Sequence, residues 1–152
     1  MASIRILTTI AAPIERCFDL ARDIDFHTRS LADTGERAVA GRTTGLIELG
    51  ESVTWEARHF SVRQRFTAKI VAFERPTYFR DVMMKGAFKS FEHDHRFESR
   101  DDQTVMIDEV VLRSPFGPLG WLVDRLFMTG YMHRLLERRC QAIKAQAESI
   151  VM

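Results

Sequence analysis

The chain has 152 residues, and its 22 lysine and arginine residues nearly balance 21 acidic residues, which leaves a net charge of +1. This balance excludes the basic excess that draws proteins to nucleic acids or anionic bilayers, so we expect no nucleic-acid partner and no stable membrane insertion. The length is typical of one domain, which we assign to residues 1–152. Hydrophobic residues make up 45% and charged residues 28%, a globular composition that excludes a disordered chain.

The cysteines and the N-terminus carry no signal for a special compartment. Cys17 and Cys140 lie in helical patterns without the spacing of metal ligands, so we predict buried free thiols rather than a disulfide or a zinc site. Residues 1–14 lack the basic start and long apolar run of a signal peptide. We therefore expect a cytoplasmic protein that uses no cofactor.

The residue pattern predicts one strand, two short helices and then six further strands. Residues 4–9 alternate as in a strand, Pro13 fits the first turn of a helix, and Asp23 or Asp25 caps a second helix. After Gly35 the chain is rich in β-forming residues, and Gly, Pro and Asp turns divide it. The predicted strands of this antiparallel meander cover residues 37–40, 51–59, 62–74, 77–85, 88–99 and 104–113.

A long helix is predicted from Pro118 to about Ser149, because no later proline interrupts the helical pattern. Steps of three and four residues give one apolar stripe, which we expect to lie on the sheet. The stripe consists of Leu119, Leu122, Leu126, Thr129, His133, Leu136, Cys140, Ile143 and Ala147. The other faces carry further apolar residues such as Trp121 and Phe127, which need a cover. Four surfaces could cover these residues: the two short helices, the loop of residues 113–120, a second copy in a homodimer and, as the weakest option, a membrane surface.

Five stretches of the sequence carry a family resemblance over nearly the whole chain: "APIERCFDLARDIDFH", "GESVTWEARHF", "RPTYFRDVMMKGAFKSFEHDHRFE", "TVMIDEVVLRSPFGPLGWLVDRLF" and "LLERRCQAIK". They resemble the START and polyketide cyclase (SRPBCC) superfamily, especially its bacterial single-domain members. The resemblance implies a helix-grip fold of the α+β class, a curved seven-stranded antiparallel sheet wrapped around a long C-terminal helix. It also implies a hydrophobic cavity between the sheet and that helix, in a fold shared with the major birch pollen allergen. It implies no single activity, because the superfamily includes lipid carriers, hormone receptors and aromatase/cyclases.

The most informative segment is the predicted hairpin of residues 91–112. A turn centred between Asp101 and Asp102 pairs residue 91 with 112, 93 with 110, 95 with 108 and 97 with 106. The face that carries His93, His95 and Asp108 is otherwise mostly apolar, so these polar groups point inward and need partners. A pair of His95 and Asp108 would favour the protonated imidazole and supply a candidate acid or base. It would equally serve only to tie two strands together.

The two histidines also raise the question of a metal, because side chains two residues apart on a strand can reach one zinc ion. A third ligand would have to come from Asp108, His59 or His133, none at a recognised spacing, so we predict no metal site. The other candidates for the cavity wall are Trp55, His59, Phe79, Met83, Phe88, Phe91, Val110, Leu122 and Leu126, with Thr129 and His133 as polar groups on the long helix. Each of these residues is equally compatible with plain core packing.

Three functions remain open from the sequence. The first is the binding or transport of a small hydrophobic ligand, such as a lipid, a polyketide or an aromatic metabolite, oriented by His95, Asp108 or His133. The second is a cyclase or dehydratase in which His95 or Asp108 moves a proton. The third is an interaction protein with a vestigial cavity. No P-loop, nucleophile elbow or dinucleotide-binding motif is present, which disfavours kinases, hydrolases and dehydrogenases.

Overall fold

The computed structural model describes residues 1–149, and these form an antiparallel sheet of seven strands against a long C-terminal helix. The strands are β1 (Ala2–Ile10), β2 (Arg37–Gly41), β3 (Ser52–His59), β4 (Val62–Glu74), β5 (Tyr78–Lys85), β6 (Ser90–Arg100) and β7 (Gln103–Arg113). The helices are α1 (Ile14–Ala21), α2 (Ile24–Ser30), α3 (Gly117–Val123) and α4 (Thr129–Ser149). The predicted helix-grip arrangement is therefore confirmed.

The two short helices begin where the sequence indicates, with small differences. Pro13 is the residue before the first turn of α1 rather than part of it. Asp23 caps α2, because its carboxylate accepts a hydrogen bond from the backbone N–H of Phe26 at 3.1 Å. The alternative cap, Asp25, instead accepts a hydrogen bond from the backbone N–H of Gly45 and so holds the loop before β3.

The sheet has the order β1-β7-β6-β5-β4-β3-β2, so β1 closes against the last strand and the other neighbours are joined by consecutive connections. Because antiparallel strands reverse direction at each turn, the connections alternate between two ends of the sheet. We name these ends by their residues. The mouth end comprises Met1 and residues 31–37, 58–63, 83–90 and 113–134, and the closed end comprises residues 42–51, 74–77, 98–103 and 144–149.

The interior near the closed end is filled by aromatic and aliphatic side chains. Phe18 of α1 contacts Phe73, Phe79 and Phe97 edge to face, with ring centroids 5.3 to 5.4 Å apart. Such contacts add to the stability that the buried ring area already provides. Cys17 and Cys140 are buried free thiols in this core, as predicted.

The N-terminal half of the predicted apolar stripe on the long helix is wrong. A π-helical turn over Asp124–Met128 joins α3 to α4, and each π turn takes up more residues than an α turn. The stripe therefore loses its phase there, so that Leu119, Leu122 and Leu126 are exposed. The face that is actually turned inward runs through Gly120, Asp124, Met128, Met132, Leu136, Cys140, Ile143 and Ala147.

Candidate functional site

A cavity of about 220 Å³ lies between the concave face of the sheet and α4. Most of its wall is apolar, with the side chains of Ile24, Val53, Trp55, Phe66, Phe91 and Leu135 among the lining groups. Small residues, Ala57 and Ala68, line the sheet side and leave space that larger residues would fill. Towards the mouth end, Phe60, Phe88 and Tyr131 form part of its lining.

A polar cluster interrupts this apolar wall where β5, β6 and β7 lie side by side. Alternation along β6 turns His93 and His95 inward, and alternation along β5 does the same for Asp81. The register places Asp81 directly opposite His93 and places Asp108 of β7 directly opposite His95. Four titratable side chains on three neighbouring strands therefore converge inside the fold.

The hydrogen bonds in this cluster run diagonally rather than between directly opposite residues. The Nε2–H of His95 donates to Asp81 over 2.8 Å, and the Nε2–H of His93 donates to Asp108 over 2.8 Å. Diagonal neighbours lie within reach of long side chains across an antiparallel pair. The two imidazole rings stack on each other with centroids 3.6 Å apart.

The predicted pairing of His95 with Asp108 is therefore correct in register but wrong in hydrogen bonding. Nδ1 of His95 lies 3.4 Å from the nearer Asp108 oxygen without the geometry of a hydrogen bond, whereas His93 donates to that carboxylate. The thiol of Cys140 also donates to Asp108 over 3.3 Å. Asp108 does not line the cavity and lies behind both imidazoles, where it orients them.

The environment gives the two histidines opposite pKa shifts. Burial alone would lower the pKa of His95, but the carboxylates of Asp108 and Asp81 outweigh it and raise that pKa above its ordinary value. Burial lowers the pKa of His93, and the neighbouring charge on His95 lowers it further, against the opposing effect of Asp108. The cluster thus favours a protonated His95 beside a neutral His93.

The two carboxylates are held in their ionised form. Burial would raise the pKa of Asp108, but the hydrogen bond from His93 and the adjacent His95 imidazole leave it far below the ordinary range. Burial opposes ionisation of Asp81 as well, and the hydrogen bond from His95 overcomes it so that this pKa is also lowered. The neutral His93 with its proton on Nε2 carries a lone pair on Nδ1, while the Nε2–H of His95 is donated to Asp81.

A second polar group lies beside the first on the wall formed by α2 and α4. Arg139 of α4 is buried and donates from Nε to Nδ1 of His27 over 3.1 Å. Nε2 of His27 is in turn bonded to Glu36 over 2.6 Å, and the His27 ring stacks on Trp55 with centroids 4.1 Å apart. Burial lowers the pKa of His27 despite the opposing Glu36 charge. Both Arg139 and His27 line the cavity, so it has two polar regions.

The structure brings together half of the residues that the sequence singled out. Those on the cavity wall are Trp55, His59, Phe79, Phe88, Phe91, His93 and His95. Met83 and Val110 belong instead to the packed cluster beneath the mouth end. The helix candidates lie elsewhere because of the π turn: Leu122 and Leu126 are exposed, Thr129 donates its hydroxyl to the backbone oxygen of Asp124, and His133 faces Glu137 at the surface.

Two functional candidates were missed by the sequence reasoning. Asp81 lies on the same face of β5 as Phe79 and Met83, so alternation alone could have identified it as an inward carboxylate. Arg139 could not have been identified in this way. It is the second of two adjacent arginines on a helix whose buried face depends on the π turn. Its burial is decided by the tertiary structure.

Asp81, His93 and His95 are also the residues that could hold a metal ion, since one ligand atom from each lies within 4.8 Å of the others. The donor set suits zinc or another divalent transition metal. Bonds of about 2.0–2.1 Å to a tetrahedral zinc keep ligand atoms more than about 3 Å apart. The direct 2.8 Å hydrogen bond between His95 and Asp81 would have to open before a metal could enter.

The chain matches solved structures along almost its whole length. It is similar to the protein TTHA0849 from Thermus thermophilus, with 19% identity, a TM-score of 0.73, and coverage of 96% of this chain and 99% of that one. It is also similar to Ara h 8.0201, with 14% identity, a TM-score of 0.71, and coverage of 97% and 98%. Ginseng major latex-like protein 151 from Panax ginseng has 13% identity, a TM-score of 0.65, and coverage of 96% and 97%.

These likenesses show the fold, and a family model identifies the chain more closely. No curated protein sequence matches it. Within residues 1–149, no helix has the length and apolar character needed to cross a bilayer. The model of one family matches residues 1–148. This chain belongs to the polyketide cyclase / dehydrase and lipid transport family.

Proposed function

We propose that this protein binds a small, mainly apolar molecule that carries one hydroxyl or carbonyl group. The observation behind the proposal is the combination of an apolar cavity with the Asp81, His93 and His95 cluster on its wall. An apolar ligand gains about 25 cal/mol for each Å² of surface that it buries there. The family's description, which includes lipid transport, supports the same class of ligand.

The volume of the cavity limits the size of the ligand. A volume of about 220 Å³ is below the roughly 300 Å³ at the lower end of drug-sized sites. It equals the liquid volume of about seven water molecules. We therefore infer a ligand with the size of one substituted aromatic ring or a short acyl chain.

The polar cluster would fix the orientation of such a ligand. The Nε2–H of His95, turned from Asp81 to the ligand, suits a carbonyl or hydroxyl oxygen, and the Nδ1 lone pair of His93 suits a hydroxyl hydrogen. Both groups lie in a buried site where an unmatched polar atom is costly, so an analogue that lacks the oxygen should bind more weakly. Acetophenone, with one ring and one carbonyl, is a suitable probe, and ethylbenzene is its counterpart without the oxygen.

A cavity-filling variant tests the proposed binding site. Ala68→Leu adds three carbon atoms to the cavity wall, and Ala40→Leu adds the same atoms at an exposed position of β2. We expect acetophenone to shift backbone amide resonances around the cavity, with at least about tenfold weaker binding in Ala68→Leu and unchanged binding in Ala40→Leu. Equal affinity in the two variants would locate the probe elsewhere and contradict the proposal.

An acid–base enzyme is the second candidate, and it is favoured by the stacked pair of a neutral His93 and a protonated His95. In an enolisation, His95 would transfer its Nε2 proton to the carbonyl oxygen while Nδ1 of His93 removes the α-proton, which leaves an enol, a neutral His95 and a protonated His93; both protons would return in the reverse step. Asp81 and Asp108 would act as positioning residues that hold the two rings.

Deuterium exchange into the methyl group of acetophenone tests this candidate directly by proton NMR. We expect an exchange rate above that of free imidazole at the same concentration, with a loss of at least about a hundredfold in His93→Gln. His133→Gln removes an exposed histidine outside the cavity and is the matched control. Binding of acetophenone without exchange leaves the protein as a carrier and excludes this second function for the probe.

A further inference from the structure

The exposed apolar side chains of this protein are concentrated at one end. Thirteen large hydrophobic residues are exposed in the described part of the chain, and ten of them belong to the mouth end. These ten are Met1, Phe60, Val62, Met84, Phe116, Leu119, Trp121, Leu122, Leu126 and Phe127. Phe116 is 80% exposed and Phe127 is 63% exposed. A concentration of exposed apolar side chains at one end is typical of an interaction site.

The same end is strongly basic although the chain as a whole is almost neutral. The mouth end carries eight basic side chains, all exposed: Arg37, Arg58, Arg63, Lys85, Lys89, Arg113, Arg125 and Arg134. Its three acidic residues have partners: Asp124 is buried and accepts hydrogen bonds from Ser114, Glu36 is bonded to His27, and Asp33 is paired with Arg138. Among the residues that the structure describes, only Arg37 and Arg63 of these eight are ion-paired, both to Glu56.

The closed end has the opposite balance. Its acidic residues are Glu48, Glu51, Glu74, Glu98, Asp101, Asp102 and Glu148, against four basic residues, Arg42, Arg75, Arg100 and Lys144. A net charge of +1 therefore conceals a separation of charge along the molecule. The field of this arrangement would orient the mouth end towards a negative surface.

We propose that the mouth end docks on an anionic lipid surface. Apolar and aromatic side chains beside exposed arginine and lysine are what an interfacial segment needs, because the rings enter the headgroup region and the cations meet lipid phosphates. Arg125 lies over the ring of Trp121, with its guanidinium carbon 5.3 Å from the ring centroid. A tryptophan of this kind is favoured at the level of the headgroups.

The docking surface is continuous with the lining of the cavity. Phe60 contacts Tyr131 with ring centroids 4.5 Å apart, and both residues line the cavity. Phe88, in the turn that carries Lys85 and Lys89, also lines it. The docking proposal depends only on the exposed side chains of the mouth end. The purpose of docking rests on the proposed function, because small apolar ligands dissolve in bilayers. A docked protein would exchange such ligands without passage through water.

Charge argues against the two other occupants of this face. In a symmetric dimer through the mouth end, the same patch of each copy would meet, so that two basic rims would oppose each other. A nucleic acid would satisfy the basic residues but would leave the exposed Leu119, Leu126 and Phe127 without an apolar partner. A lipid surface satisfies both sets of groups.

Sedimentation with vesicles tests the docking. We expect the protein to bind vesicles that contain about one third phosphatidylglycerol, to bind phosphatidylcholine vesicles at least about tenfold more weakly, and to be released by salt. Leu119→Ser/Phe127→Ser should lower the partition coefficient at least about tenfold, whereas Leu49→Ser/Val71→Ser, at exposed sites outside the mouth end, should leave it unchanged. Both pairs remove exposed side chains, so all variants should fold.

A second pair of variants separates charge from apolar contact. Lys85→Gln/Lys89→Gln should weaken binding about twenty-five-fold, since each basic residue near an anionic surface contributes roughly fivefold. Arg5→Gln/Lys69→Gln removes the same charge from the outer face of the sheet and should have little effect. The proposal is overturned if both pairs weaken binding equally or if phosphatidylglycerol makes no difference.

Two further outcomes would assign the face to another partner and overturn the proposal. One is a dimer in analytical ultracentrifugation that Leu119→Ser/Phe127→Ser dissociates, together with no vesicle binding. The other is duplex DNA that displaces the vesicles and binds that variant as tightly as the unchanged protein. Failure of the ligand site is recognised separately, because Ala68→Leu should lose acetophenone binding and retain vesicle binding.

Discussion

The two ends of this molecule are built on the same sheet but differ in how their interiors are filled. At the closed end, Phe18 of α1 reaches into the curve of the sheet and contacts three further phenylalanines. Towards the mouth end, within residues 1–149, no helix inserts a phenylalanine in this way. The π turn before α4 turns Leu119, Leu122 and Leu126 outward, and Ala57 and Ala68 leave room beside Trp55.

The contrast shows how one fold provides both stability and a site. Close packing at one end stabilises the fold, and the other end can therefore keep a void and buried charges. The four titratable groups of the cluster lie on the central strands β5, β6 and β7, which are fixed by neighbours on both sides. If the molecule is divided in this way, substitutions in the closed end should destabilise it more than substitutions around the mouth end.

The greatest loss of stability is expected at the closed end. Phe18→Ala removes a fully buried ring from a packed aromatic cluster and should lower the free energy of unfolding by about 3–5 kcal/mol. Phe91→Ala, on the cavity wall, should cost at least about 1 kcal/mol less, because the ring already borders empty space. Denaturant unfolding measures both values. Equal losses would mean that the two ends are packed alike.

The second effect distinguishes the buried carboxylate from the one on the cavity wall. Asp108→Asn removes the charge that His93 and His95 face and should destabilise the fold by about 3 kcal/mol, as breaking a buried pair does. Asp81→Asn should cost less, because 17% of the Asp81 side chain is exposed and water can reach it. Each variant should lower the pKa of His95 in an NMR titration. An unchanged pKa would contradict the assigned contacts.

The third effect is the pH dependence of stability. His93 and His27 have lowered pKa values, so near pH 6.5 these residues bind protons in the unfolded chain but not in the folded protein. Their contribution to the free energy of unfolding therefore decreases as the pH falls below that value. His95 has a raised pKa, so its contribution is complete below pH 6.5 and is lost as the pH rises through the folded pKa.

Each group contributes a slope of at most about 1.4 kcal/mol per pH unit. We expect His27→Gln to reduce the loss of unfolding free energy between pH 7 and pH 5, with no such change in the exposed-site control His133→Gln. The lowered pKa values of Asp81 and Asp108 should add a further loss only below about pH 4, where the unfolded carboxylates become protonated. A flat profile from pH 7 to pH 5 would show that His27 and His93 titrate normally.

The weakest effect is expected on the outward side of the π turn. Leu126→Ala should change the free energy of unfolding by less than about 0.5 kcal/mol, since that side chain is 61% exposed. Leu136→Ala, at a buried position of α4, should cost about 2–3 kcal/mol. A large loss in Leu126→Ala would indicate that a partner covers the mouth end in solution.

Local patterns in the sequence were enough to predict the order of elements and which residues of the β6–β7 hairpin point inward. Alternation placed His93, His95 and Asp108 on the buried face of that hairpin, and the two-residue turn at Asp101 and Asp102 set the register that is observed. The family resemblance also held for the fold. These features depend on side-chain period and turn chemistry within short stretches of chain, which a sequence records directly.

Which of those groups meet was a result of tertiary packing. The partner of His95 is Asp81 of β5, and the register of β5 against β6 depends on how the long, bulged β4 and its neighbours pack. The π turn of the last helix shifted its buried face, and the antiparallel connections gathered basic and apolar residues from distant segments at one end. Hydrogen bonds, burial and surface potential depend on distances between segments far apart in the chain, and local periodicity contains no information about those distances.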